Sequence, residues 1–277
     1  MDVIIPFIQK DKNIIQICIR SCFQYISNVR NIYVITNKYI KINISNVIII
    51  NEEIFPFTIK DVYTYTHNRH RCGWYLQQLL KLYSFKIIPD LTENFLVLDA
   101  DTIFVRNIDF FKDGKTLFNT SAEYHLPYFK HIKKFSPFIY KKYKQHSGIC
   151  HHMIWNKSIL KRLFSLVEKQ HRSSLWKAFL RCIDPKEIAG SGASEYEIYF
   201  NFVFIYFPTF VAIRTLQHLN ICLQPNNTYF LIGNIACDRH IREMVPSFVK
   251  QFESSNELCS IPPHYNIDCI SYHVINN

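Results

Sequence analysis

The sequence predicts an α/β fold, a mostly parallel central sheet with helices on both faces. Three observations carry that expectation. An apolar run near the N-terminus is followed by a stretch with helical spacing and then a second apolar run, the pattern of a βαβ unit. A further helix-to-strand alternation comes at residues 76–87 and 95–101. The chain has 277 residues, 48% hydrophobic and 16% aromatic, enough for one large packed core.

Taken in order, residues 3–8 read as a buried first strand and residues 9–12 as a polar turn. In the next segment Ile14, Ile15, Cys18, Ile19, Cys22 and Phe23 share one helical face. Residues 31–35 form a second strand, ended by Thr36-Asn37, and residues 47–50 a short third one. Residues 76–87 are expected to be helical and to feed a buried strand over 95–101. Beyond residue 110 the pattern loosens. Strands are expected at 121–125, 149–155, 209–214 and 268–274, and helices at 158–170, 175–182 and 195–206, with 130–147 a polar, aromatic loop. There is no internal repeat and no low-complexity linker, so a single domain over 1–277 is expected.

The formal charge is +10. Apart from a cluster between Lys130 and Lys144 the lysines are scattered, and no basic helix, finger or aromatic-basic RNA motif occurs. Nucleic acid is therefore not the expected partner. The 9 cysteines are odd in number and include no CxxC pair, which points to a reducing compartment. Met1-Asp2-Val3-Ile4-Ile5-Pro6 lacks the basic-then-apolar pattern of a signal peptide, and no apolar run is long enough for a transmembrane segment. The expected location is the cytoplasm, at the periphery of a membrane if that membrane carries the substrate. The oligomeric state is open.

The chemistry centres on Phe95-Leu96-Val97-Leu98-Asp99-Ala100-Asp101-Thr102. Side chains alternate along a strand, so Asp99 and Asp101 are expected on one face at the sheet edge, where ligands reach. Two converging carboxylates suit a hard divalent ion that keeps positions open for phosphate oxygens; the plainer reading is a turn held by Asp side chains. On the helix before it, Leu76, Leu79, Leu80 and Tyr83 form an apolar stripe, while Trp74, Gln78 and Lys81 share the other side. That side is either solvated or reaches a phosphate through Lys81. Ser194 and Glu197 have capping-box spacing, leaving Glu195 in the first turn of the next helix, as a dipole-stabilising carboxylate or as a base. Among His125, His151, His152 and His273, a neutral imidazole could complete a metal site.

Together these blocks resemble glycosyltransferases of the GT-A fold with a DXD metal motif. Within that group they are most similar to a poorly characterised family of bacterial polysaccharide loci and giant viruses. The likeness rests on the segments 73–82, 98–102 and 194–199, with Val3-Ile4-Ile5-Pro6 and Lys10-Asp11 resembling the family's first strand and loop. It implies a GT-A-like domain, with residues 1–110 as the nucleotide-sugar half and 111–277 as the acceptor half. It implies a hexosyltransferase that uses a UDP-sugar donor, Mn²⁺ or Mg²⁺, and a glycan, protein or lipid-linked acceptor, in the host cytoplasm if the chain is viral. Pro6, Phe7, Ile8, Thr36 and Asn37 would line the nucleoside pocket, Asp99 would approach the ribose and a metal-bound water, Lys81 would lie against the donor, and Gln78 and Ala100 would help to bind it. Asp99, Asp101 and His273 would hold the metal, and Glu195 would face the acceptor. Glu195 as a base gives inversion, but related DXD enzymes retain configuration, so the outcome stays open. Two competing readings are a sugar nucleotidyltransferase, disfavoured because residues 6–11 hold no glycine, and an inert nucleotide-sugar-binding protein of the same fold.

Overall fold

The computed structural model describes residues 1–223, 229–232, 243, 246–247 and 267–274. It is a mixed α/β fold with a central, mostly parallel sheet and seven helices among the described residues. In chain order the elements are β1 (Asp2–Pro6), α1 (Ile15–Tyr25), β2 (Ile32–Thr36), β3 (Val47–Asn51), α2 (Ile59–Thr66), α3 (Cys72–Ile87), β4 (Asn94–Leu98), β5 (Thr102–Phe104), β6 (Phe111–Lys112), β7 (Lys115–Asn119), α4 (Leu126–Phe135), β8 (His152–Asn156), α5 (Lys157–His171), α6 (Leu175–Arg181), α7 (Glu195–Tyr206), β9 (Val211–Arg214), β10 (His218–Leu223), β11 (Tyr229–Ile232) and β12 (Cys269–Val274). They fall into two compact units interleaved along the chain. The first comprises Met1–Ile50, Leu98–Phe110 and Arg214–Asn277, and the second Asn51–Val97 and Phe111–Ile213. No helix among the described residues is long and apolar enough to cross a membrane.

In the first unit β1 and β2 pair in parallel, from Val3 opposite Ile32 to Pro6 opposite Ile35, and β3 lies beyond β2. Every residue of β1 and β2 is buried, as expected of parallel strands covered on both faces. The Arg30 guanidinium grips buried Asp2 with two bonds, Nε at 2.9 Å and Nη2 at 2.5 Å, which fixes the start of β1. Helix α1 packs on β5, and its Ser21 Oγ accepts a bond from the Phe104 amide at 3.1 Å. A second sheet has the order β11-β10-β12-β5. There β12 runs parallel to β10 and antiparallel to β5, with Ser271 opposite Thr102.

The second unit holds β4 beside β8, the hairpin β6-β7 with β9, and helices α2 to α7. Its core is aromatic. Phe57 meets Tyr83 edge-on at 5.0 Å, Tyr83 meets Phe164 at 4.9 Å, and the Tyr83 hydroxyl accepts the Trp176 amide at 3.1 Å. Helix α7 is buried on nearly every side, which forces its polar residues Glu195, Glu197 and Asn201 to find partners inside the protein. It also leaves no room beside Gly148: an added Cβ would lie 2.5 Å from Phe200 Cβ and 3.0 Å from the Tyr196 carbonyl. The Gly148→Ala substitution is therefore expected to cost about 1–3 kcal/mol by overpacking. The shift in urea midpoint reads this, and an unchanged midpoint would mean that α7 moves aside freely.

Several expectations need correction. The strand before the acidic pair ends at Leu98, and Asp99-Ala100-Asp101 form a turn rather than the continuation of a strand, so strand alternation does not align the two carboxylates. Residues 121–125 are not a strand; Ser121 makes only an isolated bridge to Ser147. The lysine-rich stretch expected to be a loop from 130 is helical to Phe135, because Tyr128, His131, Ile132 and Phe135 form a buried stripe at helical spacing. The strand expected over 149–155 begins only at His152, because His151 has a positive φ of 58°. Of the capping box, only the Ser194 half forms, with Oγ accepting the Glu197 amide at 3.2 Å. The Glu197 carboxylate is taken instead by Ser147 Oγ at 2.5 Å and Asn201 Nδ2 at 2.9 Å.

Candidate functional site

The candidate residues gather into two groups, one in each unit. In the first, the chain leaves β4 and turns, with the Thr102 amide donating to the Asp99 carbonyl at 3.1 Å. The turn is pinned from two sides. The Tyr272 amide donates to the Asp101 carbonyl at 2.8 Å, and the Cys18 thiol donates to the Asp99 carbonyl at 3.9 Å. His273, on β12, lies with Nδ1 2.8 Å from Asp101 Oδ2. Asp101 and Ala100 are buried, and Asp99 is half-buried. The turn thus brings Asp101 and His273 together although 172 positions separate them.

Asp11 joins this group. It ends the short 3-10 turn Gln9–Asp11 that follows β1, and it is buried. Burial pushes its carboxyl up to about 7, with Lys10 pulling it back and the charges of Asp101 and Asp99 pushing it further up. The resemblance had included Asp11 only as part of a loop, and the signal for a role was its place just after the first strand. A carboxyl whose folded value lies above its unfolded value of 3.8 lends stability at low pH, and that stability is lost as pH rises toward 7. The Asp11→Asn variant is therefore expected to equal the wild type near the low end of that window. Near about pH 8 it should exceed it by up to about 4 kcal/mol, since the rise from 3.8 to about 7 spans about three tenfold steps in proton affinity, each worth about 1.4 kcal/mol. Denaturation at both ends of the window measures the difference, and parallel profiles would refute the burial-raised carboxyl of Asp11.

The other expected ligand-lining residues sit at the ends of two neighbouring parallel strands, the place where open α/β sheets take ligands. Pro6 pairs with Ile35 in register, and the Phe7 amide donates to the Ile35 carbonyl at 2.8 Å. Phe7 is buried and Ile8 exposed. Thr36 is buried, its Oγ1 accepting the Lys38 amide at 3.1 Å, and Asn37 is exposed.

Among the described residues no group of three or more His, Cys, Asp or Glu side chains is arranged to hold a metal ion. The chemistry of the donors around the turn nevertheless fits a hard divalent cation. Carboxylates dominate it, and burial pushes the thiols of Cys18 and Cys222 up. His273 Nδ1 and Asp101 Oδ2 are hydrogen-bonded to one another at 2.8 Å, so either atom would take a cation only after that bond opened. Mg²⁺ is usually held by one or two carboxylates, with its remaining positions left to phosphate and water.

The second group is a buried ion pair. Lys81 Nζ on α3 lies 2.7 Å from Glu195 Oε1 at the start of α7, with side chains only 1% and 4% exposed. Lys81 also sits 4.4 Å from the centre of the Tyr196 ring. The Glu195 amide donates to Gln78 Oε1 at 3.1 Å, so Gln78 supplies the bond that a free helix N-terminus needs. Sequence reasoning gave Gln78 and Lys81 to a donor and Glu195 to an acceptor; here they bind one another, and any contact of Lys81 or Glu195 with a ligand must open the pair. The preceding loop is clamped as well. Arg71 reaches the Gly190 carbonyl at 2.6 Å and Ser191 Oγ at 2.8 Å, and His125 Nε2 donates to the Ser191 carbonyl at 2.8 Å. His152 is buried, its Nε2 accepting Asn119 Nδ2 at 2.6 Å, a structural role.

Comparison with solved structures returns glycosyltransferases. Mouse xyloside xylosyltransferase 1 in its apo form is similar at 11% identity and a TM-score of 0.42, over 98% of this chain and 97% of that one. The galactosyltransferase LgtC, in complex with donor and acceptor sugar analogues, is similar at 11% identity and a TM-score of 0.42, over 98% of this chain and 87% of that one. An active-site variant of LgtC gives 13% identity and a TM-score of 0.44 over the same shares. No curated protein matches in sequence. A family profile covers residues 20–222, most of the chain, from within α1 to β10. The chain belongs to the family of unknown function DUF6492.

Proposed function

We propose that this protein is a metal-dependent glycosyltransferase that moves a hexose-type sugar from a UDP-sugar to a glycan, protein or lipid-linked acceptor. The observation that carries the reading is the acidic turn after β4, where Asp101 meets His273 at 2.8 Å beside Asp99 and Asp11. In this reading Asp101 and His273 hold Mn²⁺ or Mg²⁺, which when bound neutralises charge on the departing diphosphate. Asp99 and Ala100 approach the ribose, and Pro6, Phe7, Ile8, Thr36 and Asn37 border the nucleoside. In this reading the buried turn holds Asp101 in place, and its bond to His273 opens when the ion is taken up. Glu195 is the proposed acceptor-side carboxylate, kept in one orientation by Lys81.

The test is turnover. Incubation with a panel of UDP-sugars and Mn²⁺ is expected to release UDP from one of them, faster with a suitable acceptor, and to stop on chelation. UDP release that survives chelation would overturn the metal-dependent reading. UDP binding with no turnover on any sugar and a broad acceptor panel would favour an inert binding protein of the same fold.

A further inference from the structure

Residues 124–167 contain no Asp or Glu and carry nine Lys and Arg residues. At the start of this stretch the structure exposes large apolar side chains among the lysines. Tyr124 is 61% exposed, Leu126 49%, Phe138 60% and Tyr140 55%. Helix α4 turns Tyr128, His131, Ile132 and Phe135 inward, which leaves Leu126, Lys130, Lys133 and Lys134 on its outer face. Lys142 and Lys144 are exposed in the loop that follows. Lys130 and Lys134 are partly offset by Glu187 at 3.5 Å and Asp184 at 3.8 Å, whereas no ion pair is found for Lys133, Lys142 or Lys144 among the described residues.

We propose that α4 and the loop after it form a docking surface for an anionic lipid bilayer. Charge complementarity selects the partner: exposed lysines are drawn to anionic headgroups, and exposed aromatic and aliphatic tips suit the boundary between headgroups and acyl chains. A protein partner fits less well, because the centres of protein interfaces are depleted in lysine. Single-stranded nucleic acid needs open aromatic faces. Here Tyr124 and Phe129 stack on one another, with centroids 5.2 Å apart and planes at 11°. Lys141 Nζ also lies 5.4 Å and 4.9 Å from their two ring centres. Tyr124, Leu126, Phe138 and Tyr140 thus supply the shallow apolar contact, and Lys133, Lys142 and Lys144 the attraction. None of these residues belongs to the proposed donor site, so the surface stands independently of the enzymatic reading.

Vesicle sedimentation of the full chain tests it. Phosphatidylcholine vesicles containing phosphatidylserine are expected to carry the protein down, pure phosphatidylcholine vesicles are not, and added salt should weaken the binding. Each lysine near an anionic surface is worth about fivefold, so the triple variant Lys133→Gln, Lys142→Gln, Lys144→Gln should bind about a hundredfold more weakly. The double variant Phe138→Ser, Tyr140→Ser should lose the part of the binding that survives high salt. An unchanged melting temperature confirms that each variant is folded. Equal binding by the wild type and the lysine variant would overturn the proposal. So would binding to polyuridylate without binding to the anionic vesicles.

Discussion

Replacing Lys81 with Met is expected to lower the stability of the fold by about 3–5 kcal/mol, the usual cost of stranding one partner of a buried ion pair. Glu195 is 3% exposed, and removing Lys81 takes away the ammonium 2.7 Å from its carboxylate. The reciprocal change, Glu195→Gln, takes the carboxylate away from a buried ammonium that also lies 4.4 Å from the Tyr196 ring, and should cost a similar amount. The double variant Lys81→Met, Glu195→Leu separates this account from simple loss of packing. With both charges gone the desolvation penalty goes too, so it should be much closer to the wild type than either single variant. A coupling energy of at least about 2 kcal/mol in a double-mutant cycle, read by urea denaturation, is the expected result. Two single variants that each cost under about 1 kcal/mol would mean that water reaches the pair.

The same pair shows where the sequence was legible. Helices α1, α5, α6 and α7 lie close to their expected ranges, and α7 starts at Glu195 because Ser194 caps it, whereas α3 begins at Cys72, four residues before the expected start. Helix α2 carried its own signal, Thr58 with Asp61 three residues on, a capping box that the structure forms in both directions. It went unread because an eight-residue helix gives too few turns for a periodic pattern. Long-range partners were not legible at all. Gln78 and Lys81 share a face on α3, and that face was as compatible with solvent as with burial until α7 supplied Glu195, 114 positions away. The expected alignment of Asp99 and Asp101 by strand alternation does not form, because β4 ends at Leu98. A turn, not strand alternation, presents them, and the pinning of that turn by Tyr272 and Cys18 leaves no trace in local sequence.

Asp101→Ala is expected to abolish metal-dependent stabilisation of the protein by UDP. A ligand that binds only the folded state at a hundred times its dissociation constant adds about 2.7 kcal/mol. In a chain of this size that corresponds to a melting shift of about 5–10 °C. The wild type should show the shift with UDP and Mn²⁺ together and far less with either alone, because the diphosphate and the protein share the ion. The substitution does not act by unfolding the site. It removes the contact with His273 at 2.8 Å, but it also removes a charge that pushes the Asp11 carboxyl up, so the two effects on the ligand-free protein oppose one another. The ligand-free melting temperature should therefore move little while the ligand-induced shift disappears. Asp11→Asn provides the contrast: it relieves the same crowding, keeps both Asp101 and His273, and should retain the shift. If saturating UDP and Mn²⁺ leave the wild-type melt unchanged, the UDP-donor reading fails. If the shift survives in Asp101→Ala, the ion is held elsewhere, and the proximity of Asp101 to His273 is no more than a bond that ties β12 to the turn.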